Sequence, residues 1–278
     1  MGEATEEIRD IAARKFRLRC AVVGEGPPLL LLHGFLMNRH AWDDVIPVFS
    51  QHFTVIAPDL PGFGESEKPP PTRFAYTVEA FSECVADLIA ALRLGRMHVI
   101  GQGFASAVAL TVAADYAEFV NRLVLVGPHV YTAAKSARVF DWPILGTFLF
   151  KQLYGRSVLR SYFRESVFSP GFPLPTARID SFYDDFNAPS ARESAFATMQ
   201  AMQDTRSTVA RIGRVKAPTF VVWGASDKLY PPQLGQRLAR ELSAERLQIM
   251  NTGHAPAMED PLAFTSTVLP FLRRGKAT

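Results

Sequence analysis

The chain has 278 residues, 48% of them hydrophobic and 21% charged, which suits one large α/β domain or one such domain carrying an insertion. A net charge of +3, with the basic residues scattered, gives no footprint for nucleic acid. No run reaches the roughly 18 apolar residues that a membrane span needs, and Met1 to Asp10 is acidic without an apolar core, so neither a membrane segment nor a signal peptide is expected. The expected compartment is the cytoplasm. The two cysteines, Cys20 and Cys84, lie far apart without metal or redox spacing and are expected to be reduced and buried.

In chain order, Phe16, Leu18, Cys20 and Val22 alternate with polar residues, which predicts a half-buried strand over Ala13 to Val23. A turn over Gly24 to Pro28 leads to Leu29 to Leu32, a continuous apolar run that reads as a strand buried on both faces. It ends in His33-Gly34-Phe35, and a helix is expected from about His40 to Ser50. Phe53 to Ala57 is the next strand, closed by the glycine-punctuated loop Pro58 to Ser66. Beyond the proline run, Thr77 is placed to cap a helix through Leu92.

The stretch Met97 to Ser106 organises the rest. A β-branched run meets Gly101-Gln102-Gly103-Phe104-Ala105 and turns directly into a small-residue helix. Strand, tight turn and helix make a nucleophile elbow, G-x-S-x-G, whose middle residue sits at positive φ. Gly101 and Ala105 satisfy its demand for small neighbours, but the middle position is Gly103, which has no side chain. Ser106 lies about one helical turn away and cannot replace it. A further buried strand follows at Leu123 to Val126.

The beat of strand and helix stops at Gly127-Pro128 and resumes near Arg214. The interval is rich in Phe, Tyr and Arg and broken by prolines, so residues 128–214 are expected to form an inserted helical cap. The core is then residues 1–127 and 215–278. Phe148-Leu149-Phe150 beside Lys151 also allows a membrane-surface helix, although aromatics at helical spacing are more often packing. After the interval come a strand at Pro218 to Val222, a helix from about Gln233 to Leu242, a strand at Arg246 to Met250 and a helix from Pro261 to Leu272. Only the two tails read as disordered. Strands that are almost wholly apolar and alternate with helices imply a mostly parallel, doubly wound sheet covered on both faces.

His33-Gly34-Phe35, Asp59, Gly103, Asp227 and His254 all fall at C-terminal ends of strands, where open α/β sheets gather their ligands. The order nucleophile position, acid, base makes His254 a general base, with Asp227 accepting its other ring N–H. The backbone N–H groups of Phe35 and Phe104 would face an oxyanion. His33 is expected to support that loop, and Asp59 to hold its own loop by local hydrogen bonds. His40, His52, His98 and His129 have no ligand spacing, so no metal and no cofactor is expected. Gly101-Gln102-Gly103-Phe104-Ala105-Ser106 also approaches a dinucleotide fingerprint. That reading fails because the following strand ends in Val126-Gly127-Pro128, with no acidic residue for a ribose.

From about Phe16 to Leu272 the chain resembles the α/β-hydrolase superfamily. The resemblance rests on His33-Gly34-Phe35 with Trp42, the Asp59 to Ser66 loop, Trp223-Gly224-Ala225-Ser226-Asp227 before Pro231, and Gly253-His254-Ala255-Pro256 before Glu259 and Pro261. It looks most like the capped branch that holds carbon–carbon hydrolases, esterases, epoxide hydrolases and haloalkane dehalogenases. There the position of Gly103 is Ser or Asp, so this chain departs from the pattern at the residue that names the reaction. Three readings stay open: an inactivating replacement, a natural relative turned binding protein, or an enzyme in which His254 acts without a covalent step. The resemblance implies a small, largely apolar ester or other carbonyl substrate, and a monomer or homodimer as the assembly.

Overall fold

The computed structural model describes residues 6–131 and 154–274. Its strands are β1 (Glu7–Ala13), β2 (Phe16–Val23), β3 (Pro28–Leu32), β4 (Thr54–Pro58), β5 (Met97–Gln102), β6 (Val120–Val126), β7 (Thr219–Gly224) and β8 (Arg246–Met250). They form one eight-stranded sheet in the order β1-β2-β4-β3-β5-β6-β7-β8. β2 runs antiparallel to both β1 and β4, and every other pairing is parallel.

Side-chain alternation divides the strand residues between two cores. Leu30, Leu32, Val99, Leu123 and Leu125 face the helices Val78–Leu92 and Phe104–Asp115. Leu29, Leu31, Ile100, Val124 and Val126 face Trp42, Phe49 and the helix Pro261–Arg273. Double coverage explains why each central strand reads as an unbroken apolar run. Thr77 caps its helix as expected, its Oγ1 accepting from the Ala80 N–H at 3.2 Å. Cys20 and Cys84 are both free and buried, and burial pushes each thiol up to about 12.

Two expectations need correction. The strand expected over Ala13 to Val23 begins at Phe16, and Glu7–Ala13, expected as part of a tail, is a strand paired residue for residue with it. The turn between them holds Arg14 and Lys15 at φ +48° and +72° without a glycine or asparagine to signal it. The helix expected from His40 to Ser50 is two short pieces, a 3-10 turn over Arg39–Trp42 and a helical turn over Ile46–Phe49. Pro47 has no N–H for the Asp43 carbonyl, so a continuous helix would fail there.

Between β6 and β7 the described residues form helices joined by loops, with no strand among them. Helices cover Arg156–Tyr162, Thr176–Phe186, Pro189–Ala201 and Arg206–Arg211, with a π turn over Phe163–Val167. They pack on loops that leave the C-terminal ends of strands. Asn38 Nδ2 donates to Asp185 at 2.6 Å, the Tyr76 and Ser194 hydroxyls meet at 2.6 Å, and the His254 N–H donates to the Val167 carbonyl at 2.6 Å. Phe163, Phe168, Phe182 and Phe186 fill the space beneath. The stretch around Phe148, where a membrane-surface helix was the alternative to packing, lies outside the described residues. Among the described residues no helix is long and apolar enough to cross a membrane.

Candidate active site

The elbow is built by exclusion. Gly103 sits at φ +56°, ψ −119°, between the end of β5 and the first turn of the Phe104–Asp115 helix. A Cβ on Gly101 would lie 2.5 Å from the Ala105 carbonyl oxygen and 2.9 Å from the Ser106 Cα, so only glycine lets strand and helix approach this closely. Ser106 is fully buried, its hydroxyl donating to the Gly101 carbonyl and accepting from the Val126 N–H at 3.2 Å. It ties the helix to β5 and β6.

Phe104 opens a helix, where backbone N–H groups have no partner within the helix. Among the described residues neither its N–H nor that of Phe35 donates to a protein acceptor. The Phe35 loop is held by His33, whose Nδ1–H donates to the Gly34 carbonyl at 2.9 Å while Nε2 accepts from the Leu60 N–H at 2.9 Å. Those two bonds require a neutral ring, and burial lowers the pKa of His33 accordingly.

Asp227 follows β7 and His254 follows β8; their side chains meet at 2.8 Å between Oδ2 and Nδ1. Both residues are buried. The other oxygen of Asp227 accepts from the Leu229 and Tyr230 N–H groups, each at 2.9 Å. The carboxylate is therefore saturated except toward the imidazole, which fixes the proton on Nδ1 and leaves the Nε2 lone pair free. Glu259 braces the His254 turn, accepting from the N–H groups of Gly253 and Ser169 at 2.9 Å.

Nε2 faces Gly103. A Cβ built there would lie 2.9 Å from it, and a Cβ on Gly127, at φ +50°, would lie 2.9 Å from Nδ1. The ring is thus wedged between two positive-φ glycines. Gly127 marked only the end of the regular beat in the sequence, and its role in making space for the imidazole had no sequence signal beyond its place at a strand end.

Asp59 holds more than its own loop. Its carboxylate accepts from the Arg39 N–H at 2.7 Å, Arg39 Nη1 at 2.6 Å and the Glu65 N–H at 2.9 Å, and is wholly buried. Arg39 was not distinguishable by sequence from any surface arginine. Sequence reasoning also missed Gln102, whose amide is fully buried at the elbow without a partner among the described residues. His129 and Tyr230 were missed as well; the Tyr230 ring packs against His254, and the His129 ring packs against Tyr230.

No group of three or more His, Cys, Asp or Glu among the described residues could hold a metal ion. A cleft of about 350 Å³ lined by His52, His98, Arg122 and Arg273 opens at the N-terminal ends of the strands, on the edge away from His254. The opposite edge carries the site's chemistry.

The family described as alpha/beta hydrolase fold matches residues 27–261. A 2-hydroxy-6-oxo-6-(2'-aminophenyl)hexa-2,4-dienoic acid hydrolase from Metapseudomonas resinovorans is 27% identical over 98% of this chain and 93% of its own length. Among solved structures, a serine hydrolase involved in carbazole degradation is 26% identical with a TM-score of 0.80, covering 96% of this chain and 99% of that one. The epoxide hydrolase CorEH is also 26% identical, with a TM-score of 0.78 and coverage of 97% and 98%. With its sheet order and the family match over most of its length, the chain belongs to the alpha/beta hydrolase fold family.

Proposed function

We propose that this protein hydrolyses small, largely apolar esters or related carbonyl compounds, with His254 as general base and no covalent intermediate. Asp227 orients the ring and stabilises the imidazolium. A water hydrogen-bonded to Nε2 above Gly103 attacks the substrate carbonyl, whose oxygen takes the N–H groups of Phe35 and Phe104. The proton passes from that water to Nε2 and from Nε2 to the departing alkoxide, so the products are an acid and an alcohol. Residues 128–214 act as a helical cap over this site.

The observation that carries this reading is the 2.9 Å between Nε2 and the place of a Gly103 Cβ. With the ring held there by Asp227 and Gly127, a nucleophile side chain would displace it by a few tenths of an ångström. Positive φ would cost such a residue about 1–3 kcal/mol as well. A second reading, an elbow that has lost its serine or aspartate, is favoured by the otherwise intact Gly101–Ala105 contact.

Turnover of activated short-chain aryl esters separates the two. On the first reading the parent protein hydrolyses them slowly, His254→Ala abolishes the rate, and Gly103→Ser brings no gain. Catalysis without a covalent nucleophile retains roughly 10³–10⁴-fold over water, so the parent rate is measurable. On the second, Gly103→Ser raises turnover by orders of magnitude with an acyl-enzyme burst. No turnover in any form, with ligand binding intact, would make this a binding protein.

A further inference from the structure

A second histidine, unused by the mechanism above, lies beside the site. His129 follows β6, two residues after Gly127, and its backbone N–H donates to the Gly103 carbonyl at 3.0 Å. Its ring is buried, with Nε2 2.8 Å from the Met202 carbonyl and Nδ1 2.6 Å from the Tyr230 hydroxyl. A carbonyl only accepts, so Nε2 carries the proton. Burial pushes this imidazole down to about 4, so Nδ1 is bare at neutral pH and the Tyr230 hydroxyl donates to it. Each donor and acceptor in this chain of bonds has one possible role.

The two ends of the bridge matter. Met202 caps the Pro189–Ala201 helix, so its carbonyl is one of the acceptors a helix end leaves without an internal partner. At the other end, Tyr230 donates its N–H to Asp227 and packs its ring on the His254 imidazole, centroids 5.5 Å apart. One bridge therefore touches the helical segment, the elbow carbonyl and the acid–base pair.

We propose that His129 and Tyr230 are positioning residues that couple docking of the helical segment at Met202 to the orientation of His254 over Gly103. The role of the aligned imidazole rests on the general-base reading; the coupling itself does not. Without the bridge the Pro189–Ala201 helix has no polar tie to the Asp227 loop through Tyr230, and the Tyr230 ring loses the bond that holds it against the imidazole.

The test uses the full chain and three variants, Tyr230→Phe, His129→Leu and His129→Gln. The readout is the His254 Nδ1 proton, followed by NMR through its chemical shift and its exchange with water. Tyr230→Phe keeps the ring and removes only the hydroxyl, so it preserves packing. It and His129→Leu are expected to speed that exchange about tenfold, the scale of one lost buried hydrogen bond. His129→Gln can donate to Met202 and accept from Tyr230, and is expected to stay within about twofold of the parent, since both bonds are replaced. In aryl ester turnover the first two lower kcat with KM unchanged. Unchanged His254 exchange in Tyr230→Phe and His129→Leu, even with a lowered Tm, overturns the coupling, as does His129→Gln behaving like His129→Leu. Absence of ester turnover in the parent bears on the general-base reading alone, because the exchange measurement needs no substrate.

Discussion

Asp59 and Asp227 occupy equivalent places, each a buried aspartate in the loop that leaves the C-terminal end of a parallel strand. Their partners make them different. Asp59 gives both oxygens to Arg39 and the Glu65 N–H, so the Asp59 to Ser66 loop and the Arg39–Trp42 turn are locked as one unit. Asp227 gives one oxygen to backbone N–H groups and reserves the other for a ring that can carry a proton. The same side chain in the same topological position locks two loops to an arginine in one place and pairs with an imidazole in the other. The donor it meets decides which.

Replacing each aspartate by asparagine should separate the two roles most sharply. Asp227→Asn presents an amide N–H to Nδ1, which moves the ring proton to Nε2 and removes the base. Turnover of the aryl esters should fall to the level of the His254→Ala variant, while Tm shifts little. Asp59→Asn should do the opposite. It leaves the buried Arg39 guanidinium with only the half-exposed Glu65, at 3.2 Å, as counter-charge, which should cost about 1–3 kcal/mol in denaturant unfolding. Equal losses of activity and stability in both variants would erase the distinction.

Acid tests the histidines that burial holds neutral. Burial depresses His98 and His129 from 6.5 to about 4 each, with Arg122 adding to the effect at His98. Between those values the unfolded chain binds protons that the folded chain refuses. Stability is therefore complete above about pH 6.5 and lost as pH falls toward 4, by about 3 kcal/mol for each histidine. Denaturant melts at pH 7 and pH 4.5 measure this, and His98→Asn should flatten the curve by its own share.

The smallest expected effect lies on the other side of the imidazole. Gly127→Ala puts a methyl 2.9 Å from Nδ1 at φ +50°. It should cost about 1–3 kcal/mol in Tm-derived stability and weaken the Asp227–His254 bond, seen as faster exchange of the Nδ1 proton. An alanine variant with parent stability and parent exchange would show that the wedge does not hold the ring.

The parallel sheet was legible because strands covered on both faces leave apolar runs, as in Leu29 to Leu32 and Leu123 to Val126. Arg246–Met250 and the helix Val78–Leu92 match their expected bounds because period and cap act locally. β1 was not legible: Glu7-Ile8-Arg9-Asp10-Ile11 is a polar edge whose strand character comes from β2 beside it. At the site, sequence order alone placed Gly103, Asp227 and His254 at strand ends, and the glycine that fits the turn was visible there too. The chain by itself thus determined which groups come to one edge, because strand, turn and helix signals are local. The pairing of Asp227 with the His254 imidazole was expected from the sequence order. Only the tertiary structure decided that Asp59 meets an arginine, and that Gly127, His129 and Tyr230 close around the ring. Those contacts join loops from different strands and a distant helix, and no local pattern records the distance between them.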